Sequence, residues 1–459
     1  MIDRRTFLGI TAGAGAGLVV TPELLRALEL SSATPELLRS LQQQGGKLMQ
    51  RAIPSSGEML PVISFGPRPT APPGPGDFKP MPTDVPAAKA VLQTFIENGG
   101  RVVDVLHGGP IGEEAARTAA KELGIENKLF WTTPLSVTVP VLPGYAGQPP
   151  KPAAAAVRTA LEEKLAAFKV PTIDLVMVGT LGDVATHLAV LREMKKEGRV
   201  RYIGVHHLAW LPNMGRPPFA ELEEVMRNEE IDFVGTDYSV GDRRAEETIL
   251  PLAQERKIAF MAYFPFDRAR FFTRAGTVPL PEWAAEFDAT TWAQFSLKYV
   301  LSHPAVTVAR TGTTQAAHML ENIGGGIGRL PNEAMRKRMA NFVDALPPTP
   351  VPAPQVIQRP PQQANQAPPP VVLSAAILDR YVGEYRYEAV GQNVTVRRDG
   401  ERLFVKIQGN APEGPLVARS ETRFQGPFGL HFEFQLDSQA KVTGAMVEQG
   451  PFRIPLVRK

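Results

Sequence analysis

A chain of 459 residues is too long for one small domain, and an apolar fraction of 43% can fill at least one large core, so two folded units are expected. The formal charge of +3 is spread along the chain with no basic stripe, which excludes a nucleic-acid surface despite a pI near 9.0. Cysteine is absent, so disulfides and thiolate metal sites are excluded as well.

The chain opens MIDRRTFLGITAGAGAGLVV, two arginines followed by a Gly- and Ala-rich apolar run from Phe7 to Val20. That run is too short and too weakly hydrophobic to span a membrane. With Arg4, Arg5, Phe7 and Leu8 in this order, residues 1–30 resemble a twin-arginine export signal, which implies a periplasmic or otherwise exported protein delivered already folded. No convincing A-x-A site follows, so the cleavage position stays open and so does an uncleaved anchor; after cleavage no stable transmembrane span is expected. Residues 21–56 read as a polar helical lead-in, and the proline-rich stretch from Pro67 to Pro86 as loop.

Next come eight short apolar runs: VISF (62–65), VVDVL (102–106), LFWTT (129–133), DLVMV (174–178), RYIGV (201–205), FVGTDY (233–238), IAFMAYF (258–264) and VTVART (306–311). Segments of helical periodicity lie between them, among them EEAARTAAKELG and THLAVLREMKKEG, which end in the Gly that suits a helix C-cap. Nearly continuous apolar strands joined by amphipathic helices imply parallel strands covered on their outer side. Eight such units predict an α/β fold, a (β/α)₈ TIM barrel over residues 57–346, with an open doubly wound sheet as the competitor.

Residues 347–371 carry so many prolines and so few apolar side chains that they read as an extended linker. Beyond it, residues 372–459 alternate with period two in YVGEYRYE, NVTVRRD, RLFVKIQ, LHFEFQL and KVTGAMVEQG, with turn signals such as RDGE between. This predicts a small antiparallel all-β domain whose aromatic residues pack a core in preference to forming a binding face.

Several segments resemble the aldo-keto reductase family, especially its exported bacterial members: GGRVVDV with Glu113, IDLVMV, LREMKKEGRVRYIGV, DYSV, ILPLAQERKIAFMAYFPF and LKYVLSHPAVTVARTGTTQAAHMLENI, in the family's order. More weakly, LDRYVGEY, RLFVKI and ETRFQGPFGLHFEF resemble a small β domain of unknown role appended to exported hydrolases and similar enzymes. The first resemblance implies a barrel that binds NADP(H) at the C-terminal ends of its strands and passes hydride to a small-molecule carbonyl substrate. An alkoxide forms as hydride arrives, and it has to be protonated or stabilised. The family uses an Asp and a Lys to tune a Tyr acid, with a His holding the oxygen.

In RVVDVLHGGPIGEE (101–114), Asp104 and Glu113 fit that pattern, but the Tyr position falls on Gly109. The Lys position falls on Pro134 and the His position on Gly179. Three of four catalytic positions therefore lack their chemistry. Replacement proton donors are sought in His107 and His206, both at C-terminal strand ends. On the cofactor side, the resemblance implies Tyr238 as the ring that stacks on nicotinamide, and His206 and His207 in place of the Ser-Asn pair that grips its carboxamide. Arg310, Gly312, Thr313 and Thr314, leading into a helix that carries Asn322, are implied at the phosphates. The competing reading is a catalytically inactive periplasmic barrel that binds a small molecule or a protein. A metal site from Asp104, His107, His206 and His207 would call for a denser ligand motif than the sequence offers, so no metal is assigned.

Overall fold

The computed structural model describes residues 46–67, 85–106, 109–147, 150–179, 181–208, 219–276, 278–347, 370–449 and 452–459. The signal-like segment, His107 and most of the proline-rich linker lie outside the described residues. The chain divides into two units, one of Met1–Ser136 with Ala154–Pro350, the other of Val137–Ala153 with Val351–Lys459.

The first unit begins with a hairpin, β1 (Gln50–Ala52) and β2 (Met59–Pro61), where the sequence suggests the end of a helical lead-in. Eight βα repeats follow. In chain order they are β3 (Ile63–Gly66), α1 (Val85–Glu97), β4 (Val102–Asp104), α2 (Gly109–Leu123), β5 (Phe130–Leu135), α3 (Ala154–Phe168), β6 (Ile173–Val178) and α4 (Val184–Lys196). The second half runs through β7 (Val200–His207), α5 (Ala220–Asn228), β8 (Phe233–Asp237), α6 (Ile249–Glu255), β9 (Ala259–Tyr263), α7 (Arg270–Ala275), α8 (Trp292–Leu301), β10 (Val306–Gly312), α9 (Ala316–Gly325) and α10 (Glu333–Asp344).

Strands β3 to β10 pair in parallel with their neighbours, and β10 returns to β3, closing the barrel. The open-sheet alternative is thereby excluded. Strand residues are buried on both faces because helices cover the outside and side chains fill the inside. The helices earn their outer place by one apolar stripe each: α4 buries Val184, Leu188, Leu191 and Met194. Gly124 and Gly198 follow α2 and α4 at φ +65 and +75, the left-handed geometry that ends a helix at little cost only in glycine. Caps serve at other ends; Thr291 accepts from Gln294 N at the start of α8.

The lower interior is apolar. Ile53 and Leu60 of the hairpin pack with Val102, Phe130, Leu175, Tyr202 and Phe233. Glu58, in the hairpin turn, accepts from Arg101 (2.5 Å) and from Tyr202 Oη (2.8 Å), which fixes the hairpin against the barrel.

The second unit holds α11 (Ala375–Tyr381) and eight antiparallel strands: β11 (Gly383–Tyr387), β12 (Gln392–Asp399), β13 (Arg402–Ile407), β14 (Gly414–Ala418), β15 (Arg423–Gln425), β16 (His431–Leu436), β17 (Val442–Gln449) and β18 (Phe452–Arg458). Each pairs with the next, and β18 closes on β11. The period-two pattern is obeyed, Val394 and Val396 inward with Thr395 outward. Tyr381, Tyr385, Phe424, Phe432 and Phe434 fill the centre as expected of a packed core. Leu142, from the segment between β5 and α3, is buried in that same cluster. No helix among the described residues is long and apolar enough to cross a membrane.

Candidate active site

Side chains alternate along each parallel strand, so the parity of the apolar interior fixes which residues face inward above it. From Val102 the inward series reaches Asp104, from Tyr202 it reaches Gly204 and His206, from Met261 it reaches Tyr263, and from Val308 it reaches Arg310. These residues stand toward the C-terminal ends of their strands, the end at which TIM-barrel chemistry occurs.

Asp104 is fully buried and forms a long ion pair with Arg310, Oδ2 to Nε 3.5 Å. Its Oδ1 accepts from Leu106 N at 2.8 Å, and Arg310 Nη2 donates to the Asp104 carbonyl at 3.3 Å. Tyr263 faces the same carboxylate. Burial raises Asp104 above the usual carboxylate range, opposed by the Arg310 charge. The Tyr263 phenol is pushed well above its ordinary value, by burial first and then by the Asp104 charge.

His206 meets Tyr263 edge-on, ring centroids 6.4 Å apart. Burial, with a smaller contribution from His207, lowers the His206 imidazole to about 4, so it is neutral at neutral pH. The residue is only partly covered as a whole, yet both ring nitrogens are sealed from solvent. Among the described residues neither nitrogen has a hydrogen-bond partner; nor do His207 Nε2, Ser64 Oγ and Thr132 Oγ1, all buried. Such orphans are rare in native interiors and each calls for a specific cause.

Three glycines make the room, Gly66 on β3, Gly235 on β8 and Gly179 just past the end of β6. A Cβ on Gly66 would overlap the Arg310 guanidinium, one on Gly235 the Tyr263 ring, and one on Gly179 the His206 imidazole. Gly179 is the position where a histidine was expected; the space is filled by an imidazole from the next strand. Gly109 differs. It opens α2 at φ +59, and among the described residues nothing lies within 4 Å of an added Cβ. Pro134 lies on β5 beside Met177 of β6.

The remaining predicted residues separate. Tyr238, expected to stack on nicotinamide, has the opposite parity to Asp237 and points into the helix layer. There its hydroxyl donates to Glu246 (2.6 Å) and accepts from Arg336 (2.9 Å), and its ring contacts Tyr299 and His303. Arg310, expected at a phosphate, is turned inward to Asp104 because Gly66 leaves space for it. Gly312 ends β10, Thr313 Oγ1 accepts from Gln315 N at 3.0 Å just before α9, Thr314 is half-buried, and Asn322 is buried on α9. Glu113 faces away, to Lys164 (3.2 Å) and Arg117 (3.7 Å). No group of three or more His, Asp and Glu suited to a metal ion occurs among the described residues. Tyr263 escaped the sequence reading although its signal was present, a tyrosine at inward parity facing a glycine on the adjoining strand.

The Aldo/keto reductase family model matches residues 79–338, more than half of the chain. The chain belongs to the aldo/keto reductase family. The chain also matches a domain of unknown function, DUF3471, over residues 367–453. It is 25% identical over 199 residues to an uncharacterized oxidoreductase, YqkF, of Bacillus subtilis, covering 38% of this chain and 60% of that protein. It is 29% identical over 154 residues to pyridoxine 4-dehydrogenase of Escherichia coli, covering 34% and 49%. The chain thus spans less than two thirds of the length of these relatives. Among solved structures, the holo form of an aldo-keto reductase from Bacillus halodurans is 21% identical, with 65% of this chain and 96% of that one covered at a TM-score of 0.49. An aldo/keto reductase from Klebsiella pneumoniae, in complex with NADP and acetate, is 18% identical, with 66% and 96% covered at a TM-score of 0.47.

Proposed function

We propose that this family member is an NADP(H)-dependent oxidoreductase that interconverts a small carbonyl compound and its alcohol, exported by the twin-arginine route, with His206 in place of the usual proton-handling group. The observation that carries this reading is that His206 Nδ1 and Nε2 and His207 Nε2 are sealed from solvent and, among the described residues, lack a hydrogen-bond partner. A buried polar atom left unpaired costs about 1–3 kcal/mol, so a ligand amide or carbonyl that pairs with it is favoured. The nicotinamide carboxamide, both donor and acceptor, fits that donor set. The fit at the phosphates is narrower: Arg310 is engaged with Asp104, leaving Thr313, Thr314 and the backbone amides that open α9. When bound, the cofactor supplies the hydride. The chain's own part is to orient the carbonyl, exclude water and hold a proton near its oxygen.

A second reading, a catalytically silent binding barrel, is favoured by Gly109, Pro134 and Gly179, none of which carries an acid, a cation or an imidazole. Calorimetric titration of the purified protein with NADPH, followed by NADPH oxidation assays with benzaldehyde and phenylglyoxal, separates the two. Binding with turnover that falls in His206→Ala supports the enzyme; binding without turnover supports the silent barrel; no binding at millimolar NADPH overturns the cofactor assignment. Turnover that falls in His107→Ala and not in His206→Ala moves the role to His107. Replacing Arg4 and Arg5 by Lys should retain the protein in the cytoplasmic fraction if the export reading holds.

A further inference from the structure

The segment after β5 reads SVTVPVLPGYAG over residues 136–147, and its middle is a turn. Tyr145 N donates to the Leu142 carbonyl at 3.3 Å, with Pro143 and Gly144 at the two central positions. Gly144 has φ +83, the positive value that the second central position of a type II turn requires, and proline suits the first. The groups that receive this turn lie some 250 residues further along, in the antiparallel barrel. Leu142, 1% exposed, enters the apolar cluster of β11 to β18. Gln392, 4% exposed at the start of β12, aims its amide at the Leu142 backbone. Its Oε1 accepts from Leu142 N at 3.2 Å, and its Nε2 donates to the Leu142 carbonyl at 3.4 Å and to the Gln408 carbonyl at 3.0 Å. Asn410 N donates to the Gly144 carbonyl at 3.2 Å. That approach needs glycine on both sides: Gly409 stands at φ +119, where a Cβ would overlap the Gly144 carbonyl, and a Cβ on Gly144 would crowd Ala411 N. Lys406 Nζ, donating to the Ala411 carbonyl at 2.7 Å, ties this receiving loop back to β13.

A barrel core has no use for a buried glutamine as such. A buried amide destabilises unless it is paired, and withdrawing the turn would take from Gln392 Oε1 the N–H that it accepts from. One apolar pocket for one side chain, with hydrogen bonds to the backbone on either side of it, is how proteins bind peptides. We propose that the antiparallel barrel is a peptide-docking module for a Leu-Pro-Gly turn, occupied in this chain by its own loop. The leucine pocket and the turn geometry supply specificity, and the backbone hydrogen bonds supply affinity. Self-occupancy follows from the covalent chain, which delivers the ligand at a high effective concentration. The docked segment starts one residue after Ser136, whose Oγ borders the space over Gly179. Docking therefore holds the chain one residue along from the candidate active site, a role for the second unit that rests neither on cofactor binding nor on turnover.

The test is exchange of the turn by a peptide added to the full chain. A fluorescent peptide with the sequence of residues 138–147 is titrated into wild-type protein, Leu142→Ser and Gly144→Ala, with binding read as polarisation. Leu142→Ser empties the pocket, and Gly144→Ala breaks the turn while keeping the leucine. Both variants are expected to bind the peptide at least about 10-fold more tightly than wild type, in which the tethered turn competes. Adding Gln392→Ala to either variant should weaken binding by about 10-fold, and a peptide with serine in place of its leucine should not bind. Where a variant loses amide-exchange protection in β11 to β18, the peptide should restore it. Equal affinity for wild type and both variants overturns the proposal, as does binding that is unchanged by Gln392→Ala. Absence of binding by both variants, with β11 to β18 protected or not, overturns it as well.

Discussion

The chain builds two closed barrels of eight strands, one parallel and one antiparallel, and their interiors differ in kind. In the antiparallel barrel Tyr381 and Tyr385 reach inside with their hydroxyls paired, to the Glu421 carbonyl and to the Tyr381 carbonyl, each at 2.7 Å. Among the described residues of that unit the one buried side-chain atom lacking a hydrogen bond is Asn393 Oδ1. In the parallel barrel, atoms of Ser64, Thr132 and His206 lack a hydrogen-bond partner among the described residues, beside an ion pair too long for a good hydrogen bond. A core chosen for stability alone leaves few such atoms. One interior is packed with nearly all of its polar groups paired, while the other keeps buried polar atoms that lack partners among the described residues.

The largest effect should come from the packed interior. Phe434 lies 4.6 Å from the Tyr381 ring and 5.4 Å from that of Phe424, so Phe434→Ala opens a cavity at the centre and should cost about 3–5 kcal/mol. Hydrogen exchange should report the loss across β11 to β18, with protection in β3 to β10 retained. In the parallel barrel the corresponding test concerns charge. Arg310→Met leaves Asp104 buried without its cation and should destabilise by about 3 kcal/mol or more, and Asp104→Asn in the same chain should restore most of it. If the single and double variants melt alike, the pair is not electrostatically coupled.

Acid should separate the barrels further. Burial holds His206 and His303 neutral when folded, each lowered to about 4 from 6.5. Their contribution to stability is therefore present above pH 6.5 and is lost as pH falls toward 4, because the unfolded chain takes up those protons first. At about 1.4 kcal/mol per pKa unit, and with His206 only partly covered, the loss from His206 is on the order of 2–3 kcal/mol. In the antiparallel barrel His431 is exposed. The parallel barrel should thus lose Tm between pH 6.5 and 4 more steeply than its companion, and His206→Gln should flatten that slope.

Residue by residue, the sequence shows where its physical signals are strong. The eight parallel strands were legible because long apolar runs alternate with helical stripes. Strands β1 and β2 were not, since three residues are too few to establish a period. In β14 and β18, Pro415 and Pro455 interrupt the pattern; each occupies a paired strand position, opposite Phe404 and Met446. A proline inside an apolar run argues against a strand from sequence alone, and here closure of the barrel overrides it. At the site, the vacated positions Gly109, Pro134 and Gly179 were visible, but the inward turn of Arg310 was not. Its direction depends on Gly66, nearly the whole barrel away in sequence and adjacent only once β10 meets β3.

The smallest effect tests the one feature that the linear order conceals. Residues Val137–Ala153 follow β5, yet they group with the antiparallel barrel, where Leu142 is buried among its core residues. Gln392 brackets the Leu142 backbone, accepting from its N–H at 3.2 Å and donating to its carbonyl at 3.4 Å, and also donates to the Gln408 carbonyl at 3.0 Å. Gln392→Ala leaves that buried N–H and carbonyl unsatisfied and should cost about 1–2 kcal/mol. Gln392→Glu should cost more, because a carboxylate keeps the acceptor and loses the donor while adding a charge. The loss should appear as earlier melting of the antiparallel barrel and as faster amide exchange in residues 137–147, two readouts that move together only if this segment folds as part of that barrel. Exchange in 137–147 that stays slow while β11 to β18 melts would place the segment's stability with the parallel barrel instead.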